Sequence, residues 1–396
     1  MVQNEKLIEF INGSNSCLKV KALKTLVKRQ KTDASLIPDK KDDVCMHYAS
    51  TYYYSSYSPS FCAYAGYRAG NFGVGINDYA SVGGFKEFRK ASRILKIPYA
   101  YGYHIACEPL FKEDRAIVYG YGVCYGVSKS LNNDLKIYRE KQKEIAFKYL
   151  EKVNARLSKY EIQVTKDEVL KQSLYKKGGV ISEKHVFNLF AEKIISKLGK
   201  GKDMVDVFVK ILKIEGDNKD LDFLLESKNT FYVDDLTKIL FNNRDVFAVK
   251  EDLVLADEII NINKKYGIIS SYKIKPTNFD KEGLLKACQL LKEKGFNAVT
   301  FDDRKIPSDK LDDLIKFFIS NDLMPVSLYR MGMPRQTGRK DDMPKTLFDT
   351  ALAIIGNGIS TAYNISDAMF GETTMQRCPD LKTRIEIFKN VGRKGR

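Results

Sequence analysis

The sequence predicts an α/β fold on a parallel sheet, open or closed into a barrel, with a block of helices inserted into it. Three observations carry this reading. Helix-then-strand units recur before and after the middle of the chain. The stretch 131–250 breaks that rhythm and is nearly all helical by period. No apolar run approaches the ~18 residues that a bilayer span needs.

Residues 4–30 read as one or two short amphipathic helices ending in a basic stretch, and Pro38 with the charged run 39–43 marks a linker. In FKEFRKASRILKIPYAYGYHI, the residues Phe85, Phe88, Ala91, Ile94 and Leu95 share a helical face, and Pro98 then starts a strand. KEGLLKACQLLKEKGFNAVTF repeats the design, with Gly295 stopping the helix before the strand Asn297–Phe301. SDKLDDLIKFFISNDLMPVSLYR does so again, with Ser308 as the N-cap and Met324–Tyr329 as the strand. In the middle, Leu135, Tyr138, Ile145, Tyr149, Val153 and Leu157 lie on one face of a long helix, and further helices are expected at 183–198, 203–214, 219–227 and 233–242. The expected organisation is a helical extension over 1–40, a first sheet segment over 41–130, the insertion over 131–250 and a second sheet segment over 251–396.

Composition narrows the function classes. With 396 residues, 44% of them hydrophobic, the chain can bury a sizeable core. Its net charge of +16 comes from lysines interleaved with acidic residues along nearly every helix, which describes solvated faces. A nucleic-acid or partner-binding module using the basic insertion is therefore a third reading, and nucleic acid is not the expected partner. Seven scattered cysteines with no CxxC pair read as reduced thiols. Glu5 and Glu9 stand early and no signal-peptide apolar core follows, so a cytoplasmic, membrane-free protein is expected. Only three histidines occur, His47, His104 and His185.

Generic motifs are absent: GKGKDM at 199–204 lacks the Walker spacing, and the glycines of YGYGVCYG do not spell GxGxxG. Four segments carry more together than singly. They are HYASTYYYSSYSP at 47–59, INDYASVGGFKEF at 76–88 with IPYAYGYHI at 97–105, KKGGVISEKH at 176–185, and GFNAVTF at 295–301 with PVSLYRMGMPRQ at 325–336. Their order and spacing resemble the PHP (polymerase and histidinol phosphatase) superfamily, in particular a bacterial branch, over almost the whole chain. The resemblance implies a distorted TIM-like (β/α)7-type barrel with a helical insertion. It also implies metal-dependent phosphoesterase chemistry on two or three divalent ions.

The sequence departs from that family at named positions. Where the family opens with HxH, His47 is followed by Ala49. Its D-H-D type triplet reads Asp78, Tyr79, Ala80, and its bridging glutamate position in G-x-E is His104. A late acidic pair is Tyr329 and Arg330, no histidine occurs over 119–126, and the final family histidine would fall near Asn357 and Gly358. Alanine offers no lone pair, and a guanidinium repels a cation at close range. No intact metal cluster is therefore expected.

The resemblance thus implies a pseudoenzyme whose pocket remnant is His47, Asp78, Tyr79, His104, Tyr329 and Arg330. His185, Arg330 and Arg335 are candidates to hold a small anionic or phosphorylated ligand, with His185 equally readable as a helix-capping residue. The alternative is a divergent phosphoesterase hydrolysing a phosphate ester or nucleotide. No cofactor is expected; if there is one, it is a single divalent Zn, Mn or Fe on His47, Asp78 and His104.

Overall fold

The strands are buried on both faces along nearly their whole length, so they read as continuous apolar and aromatic runs. A computed structural model describes residues 2–33, 37–113, 115–213, 219–331, 342–362 and 364–395. The strands are β1 (Lys41–Tyr48), β2 (Asn71–Tyr79), β3 (Tyr99–Cys107), β4 (Ala116–Tyr121), β5 (Ile269–Lys273), β6 (Ala298–Phe301), β7 (Met324–Ser327) and β8 (Arg330–Met331). They form one sheet in the order β7-β6-β5-β4-β3-β2-β1-β8.

Only Leu328 and Tyr329 separate β7 from β8, so one run of chain pairs with β6 through its first half and with β1 through its second. This joins the two edges into a nearly closed barrel and removes exposed edge strands. The strand expected at Met324–Tyr329 is thus broken before Leu328 and resumes at Arg330. The barrel is not wholly parallel: β4 runs antiparallel to both β3 and β5. Residues 108–115 alone join β3 to β4, too short a link for the crossover helix that a parallel pair needs.

The helices before β5 are α1 (Val2–Asn12), α2 (Ser16–Gln30), α3 (Pro59–Arg68), α4 (Phe85–Leu95), α5 (Ser128–Asp134), α6 (Lys136–Leu157), α7 (Lys166–Gln172), α8 (Glu183–Leu198), α9 (Lys202–Leu212), α10 (Lys219–Leu225), α11 (Tyr232–Asn242) and α12 (Ala256–Lys265). After β5 come α13 (Lys281–Glu293), α14 (Ser308–Ser320), α15 (Lys345–Ser360), α16 (Glu372–Arg377) and α17 (Leu381–Lys394). Ser308 does not cap α14: extended Pro307 (φ −55°, ψ 137°) holds that position and Ser308 is already helical. Helices α15 and α17 touch backbone to backbone. A Cβ on Gly356 would land on the Phe388 carbonyl oxygen, and one on Gly392 on that of Leu352.

The chain divides into a barrel unit (residues 1–51, 55–135 and 253–396) and a helical unit (residues 52–54 and 136–252). The helical unit has its own core, in which Tyr149, Phe187, Phe190, Phe208 and Leu236 are fully buried. Among the described residues no helix is long and apolar enough to cross a membrane.

Candidate functional site

Side chains alternate across a strand, and that parity decides what the barrel interior holds. On β3, the Tyr103 hydroxyl donates to Asn263 Oδ1 on α12 at 2.5 Å, so Tyr103 faces the helix layer. His104, one residue on, faces inward, and its Nδ1–H donates to Asn77 Oδ1 at 2.8 Å. Tyr79 meets the His104 ring edge-on at 5.5 Å.

On β4, the residues at i and i+2 stack: the Tyr119 and Tyr121 rings are 5.5 Å apart and 3° from parallel. Tyr119 stands between the histidines, 5.0 Å from the His47 ring and 5.6 Å from the His104 ring, centroid to centroid. His47 Nε2 lies 3.1 Å from the Ser327 carbonyl oxygen and 3.1 Å from the Tyr121 hydroxyl. The tautomer protonated at Nε2 donates to both. Tyr121 then donates to Thr300 Oγ1 at 2.9 Å, and the Thr300 and Ser271 hydroxyls share a hydrogen bond at 2.8 Å. Ser327 Oγ in turn donates to Asp303 Oδ1 at 2.6 Å. Both histidines and both tyrosines are buried. The interior is therefore a filled polar network linking five strands, of the kind that fixes a unique packing when its members are satisfied.

Asp78 lies on the opposite parity from Asn77 and Tyr79. It is fully buried, and its carboxylate accepts from Ser50 N at 2.6 Å and from Ser50 Oγ at 2.7 Å. It thereby pins the chain just after β1. Val74, on the same parity of β2 as Asp78, meets α3, where a Cβ on Gly66 would touch it, so Asp78 lies on the helix side. Desolvation and the nearby Asp78 charge push the Cys62 thiol on α3 well up. The set His47, Asp78 and His104, named only for the case that a single divalent ion is held, does not converge. Their strands are neighbours, but the carboxylate points away from the imidazoles. Among the described residues no three His, Cys, Asp or Glu side chains come together as a cation site. Nor do Tyr79, Tyr103 and Tyr329 form one cluster. Tyr103 faces outward, and Tyr329 is buried beneath the Arg304 guanidinium, 5.1 Å above its ring.

Ala80, the last residue of the Asp78–Tyr79–Ala80 triplet, takes a left-handed backbone with φ of 43°. Its N–H donates to the His104 carbonyl oxygen at 2.9 Å, which holds the end of β2 against β3. This geometry costs a non-glycine residue ~1–2 kcal/mol.

His185 belongs to the helical unit. It is buried at the third position of α8, where its Nδ1 accepts from Ser182 N at 3.2 Å and lies 3.1 Å from Ser182 Oγ. The Tyr54 ring meets it edge-on at 5.2 Å. Burial pulls its imidazolium down to about 4. At neutral pH it is an uncharged capping group and supplies no positive charge to an anion. The Arg330 backbone pairs with His47, but its side chain, like Arg335, lies outside the described residues.

Parity could have identified Tyr119 and Tyr121 from the sequence, because Gly120 separates two aromatic residues in a strand. Thr300, Ser271, Ser327 and Asp303 carry no such mark. Small polar residues at strand ends look alike until the barrel closes.

No family model and no curated protein matches the chain. Solved structures do match. An amidohydrolase from Chromobacterium violaceum, with bound sulfate and no metal, shares 16% identity over 76% of this chain and 92% of its own, with a TM-score of 0.52. A proposed metal-dependent phosphoesterase from Bifidobacterium adolescentis shares 15% identity over 78% of this chain and 96% of its own, with a TM-score of 0.49. At such identity the first likeness shows the fold alone: an α/β barrel, consistent with the barrel that the PHP resemblance implies.

Proposed function

We propose that this chain keeps a phosphoesterase-type barrel but not a metal-hydroxide reaction. In this reading it is a catalytically impaired or inactive protein that binds a phosphorylated or other anionic small molecule. The observation that carries the reading is the engagement of the remaining ligand-type residues. His47 Nε2 is held by Ser327 and Tyr121, His104 Nδ1 by Asn77, and the Asp78 carboxylate by Ser50 on the other face of the sheet. Divalent ions at hydrolytic centres need convergent lone pairs and carboxylate charge. Ala49 and Ala80 supply neither. The residues described do not fit a two- or three-metal cluster, and no catalytic step is derived through one. Seven cysteines that form no disulfide support a reducing, cytoplasmic setting for a bacterial protein of this kind.

The test is elemental analysis of the purified chain, followed by turnover of a panel of phosphate monoesters, diesters and nucleotides with Zn, Mn or Fe added. The reading expects less than stoichiometric metal and no turnover above buffer. Near-stoichiometric metal together with hydrolysis that disappears in His47→Ala overturns it in favour of a divergent phosphoesterase.

A further inference from the structure

The barrel has a second feature at the end opposite the loops that follow the parallel strands. A cavity of about 590 Å3 lies at the start of β3, between α4, the loop after β4 and α15. That is within the ~300–1,000 Å3 usual for small-molecule pockets. Arg89 and Arg93 of α4, Tyr99 and Tyr101 of β3 and Tyr125 after β4 line it, and no carboxylate stands among its described lining residues.

The two arginines are one helical turn apart and so share a face of α4. Arg89 is placed by its neighbours. Its guanidinium lies 4.5 Å above the Tyr125 ring, and the nearby Tyr99 side chain raises its pKa. Elsewhere in the barrel unit arginines lean on carboxylates, as Arg304 does on Asp302 and Arg384 on Asp322. Here Arg89 lies on a tyrosine instead, and Arg93 lines the same cavity. The Tyr101 ring, 5.5 Å from Tyr99 and 6.0 Å from Tyr125, completes an aromatic wall.

We propose that this cavity binds a ring-bearing phosphate monoester, with the phosphate held by Arg89 and Arg93 and the planar ring laid against the tyrosines. Guanidinium forks match phosphate oxygens two at a time, and tyrosine rings pack offset or edge-on against planar rings. The inference takes from the reading above only that the ligand is anionic. It holds whether or not the other end of the barrel hydrolyses anything, because it is tested by binding and not by turnover.

The test is calorimetric titration of the full chain with phenyl phosphate, adenosine monophosphate and inorganic phosphate at low and high salt. Phenyl phosphate or adenosine monophosphate binds, and inorganic phosphate binds more weakly for want of a ring. Arg93 is exposed, so Arg93→Ala keeps the fold. Arg93→Ala and Arg89→Gln each weaken binding by roughly tenfold or more, the worth of one hydrogen bond to a charged group. Arg304→Ala binds as the parent does. Failure of the parent to bind either ring-bearing phosphate, unchanged affinity in Arg93→Ala, or loss of affinity in Arg304→Ala overturns the proposal.

Discussion

The interior around the histidines and the cavity at the start of β3 belong to one barrel and solve opposite problems. Around His47 and His104, nearly every polar side chain is turned onto another, and the space is filled by Tyr119 and Tyr121. At the cavity, Arg89 lies over the Tyr125 ring and Arg93 stands one helical turn away, with no carboxylate among the described lining residues. The difference teaches where to look for a ligand in a barrel that resembles an enzyme. A site whose histidines are held by their neighbours has become structure, and unneutralised charge beside a cavity is where external chemistry can still enter.

The largest expected effect breaks the first half of that comparison. Asp78→Ala removes a buried carboxylate that accepts two hydrogen bonds and leaves both donors of Ser50 without that acceptor, so unfolding in urea should become easier by about 4 kcal/mol. A variant as stable as the parent, or more so, would mark Asp78 as a strained functional group and not a structural pin.

His185 extends the self-satisfied class into the helical unit. Its folded value, about 4, lies below the 6.5 of an unperturbed histidine. The unfolded chain therefore binds the extra proton between those values. Stability is complete above pH 6.5 and is lost as pH falls towards 4, by up to roughly 3 kcal/mol. Comparing urea midpoints at pH 7 and pH 4.5 for the parent and His185→Gln should show this component only in the parent.

Gly356→Ala probes the wall behind the cavity. The α15–α17 seam has no room for a methyl group, so about 2 kcal/mol should be lost on overpacking, read as a lower melting temperature. Because Ile355 and Gly358 of α15 line the cavity, phenyl phosphate affinity should change with it. The smallest effect has the opposite sign. Ala80→Gly relieves a left-handed alanine and should stabilise by about 1 kcal/mol in the same urea measurement.

Much of this was legible in the sequence, and the exceptions have identifiable causes. Helical period placed α8 at 183–198, where it lies, because α8 buries one face on its neighbours. The reversal of β4 was missed because a sheet of short apolar runs carries no mark of strand direction. The signal was the short link over 108–115. Asp78 was grouped with the histidines by strand position, whereas parity sends adjacent residues to opposite faces. His185 stands three residues after Ser182, a spacing that already suggested the capping role its geometry displays. The cavity was not legible, since it brings together residues 89–101, 123–126 and 355–362, which only the closed barrel makes neighbours.

The reversed strand also redistributes the loops. In an all-parallel barrel, each segment following a strand emerges at the same mouth, and the opposite mouth receives only the returns from helices. Turning β4 around delivers residues 122–126, Tyr125 among them, to that opposite mouth. One change of direction thus gives the usually structural end of the barrel a post-strand loop of its own, free to vary in sequence without disturbing the other end.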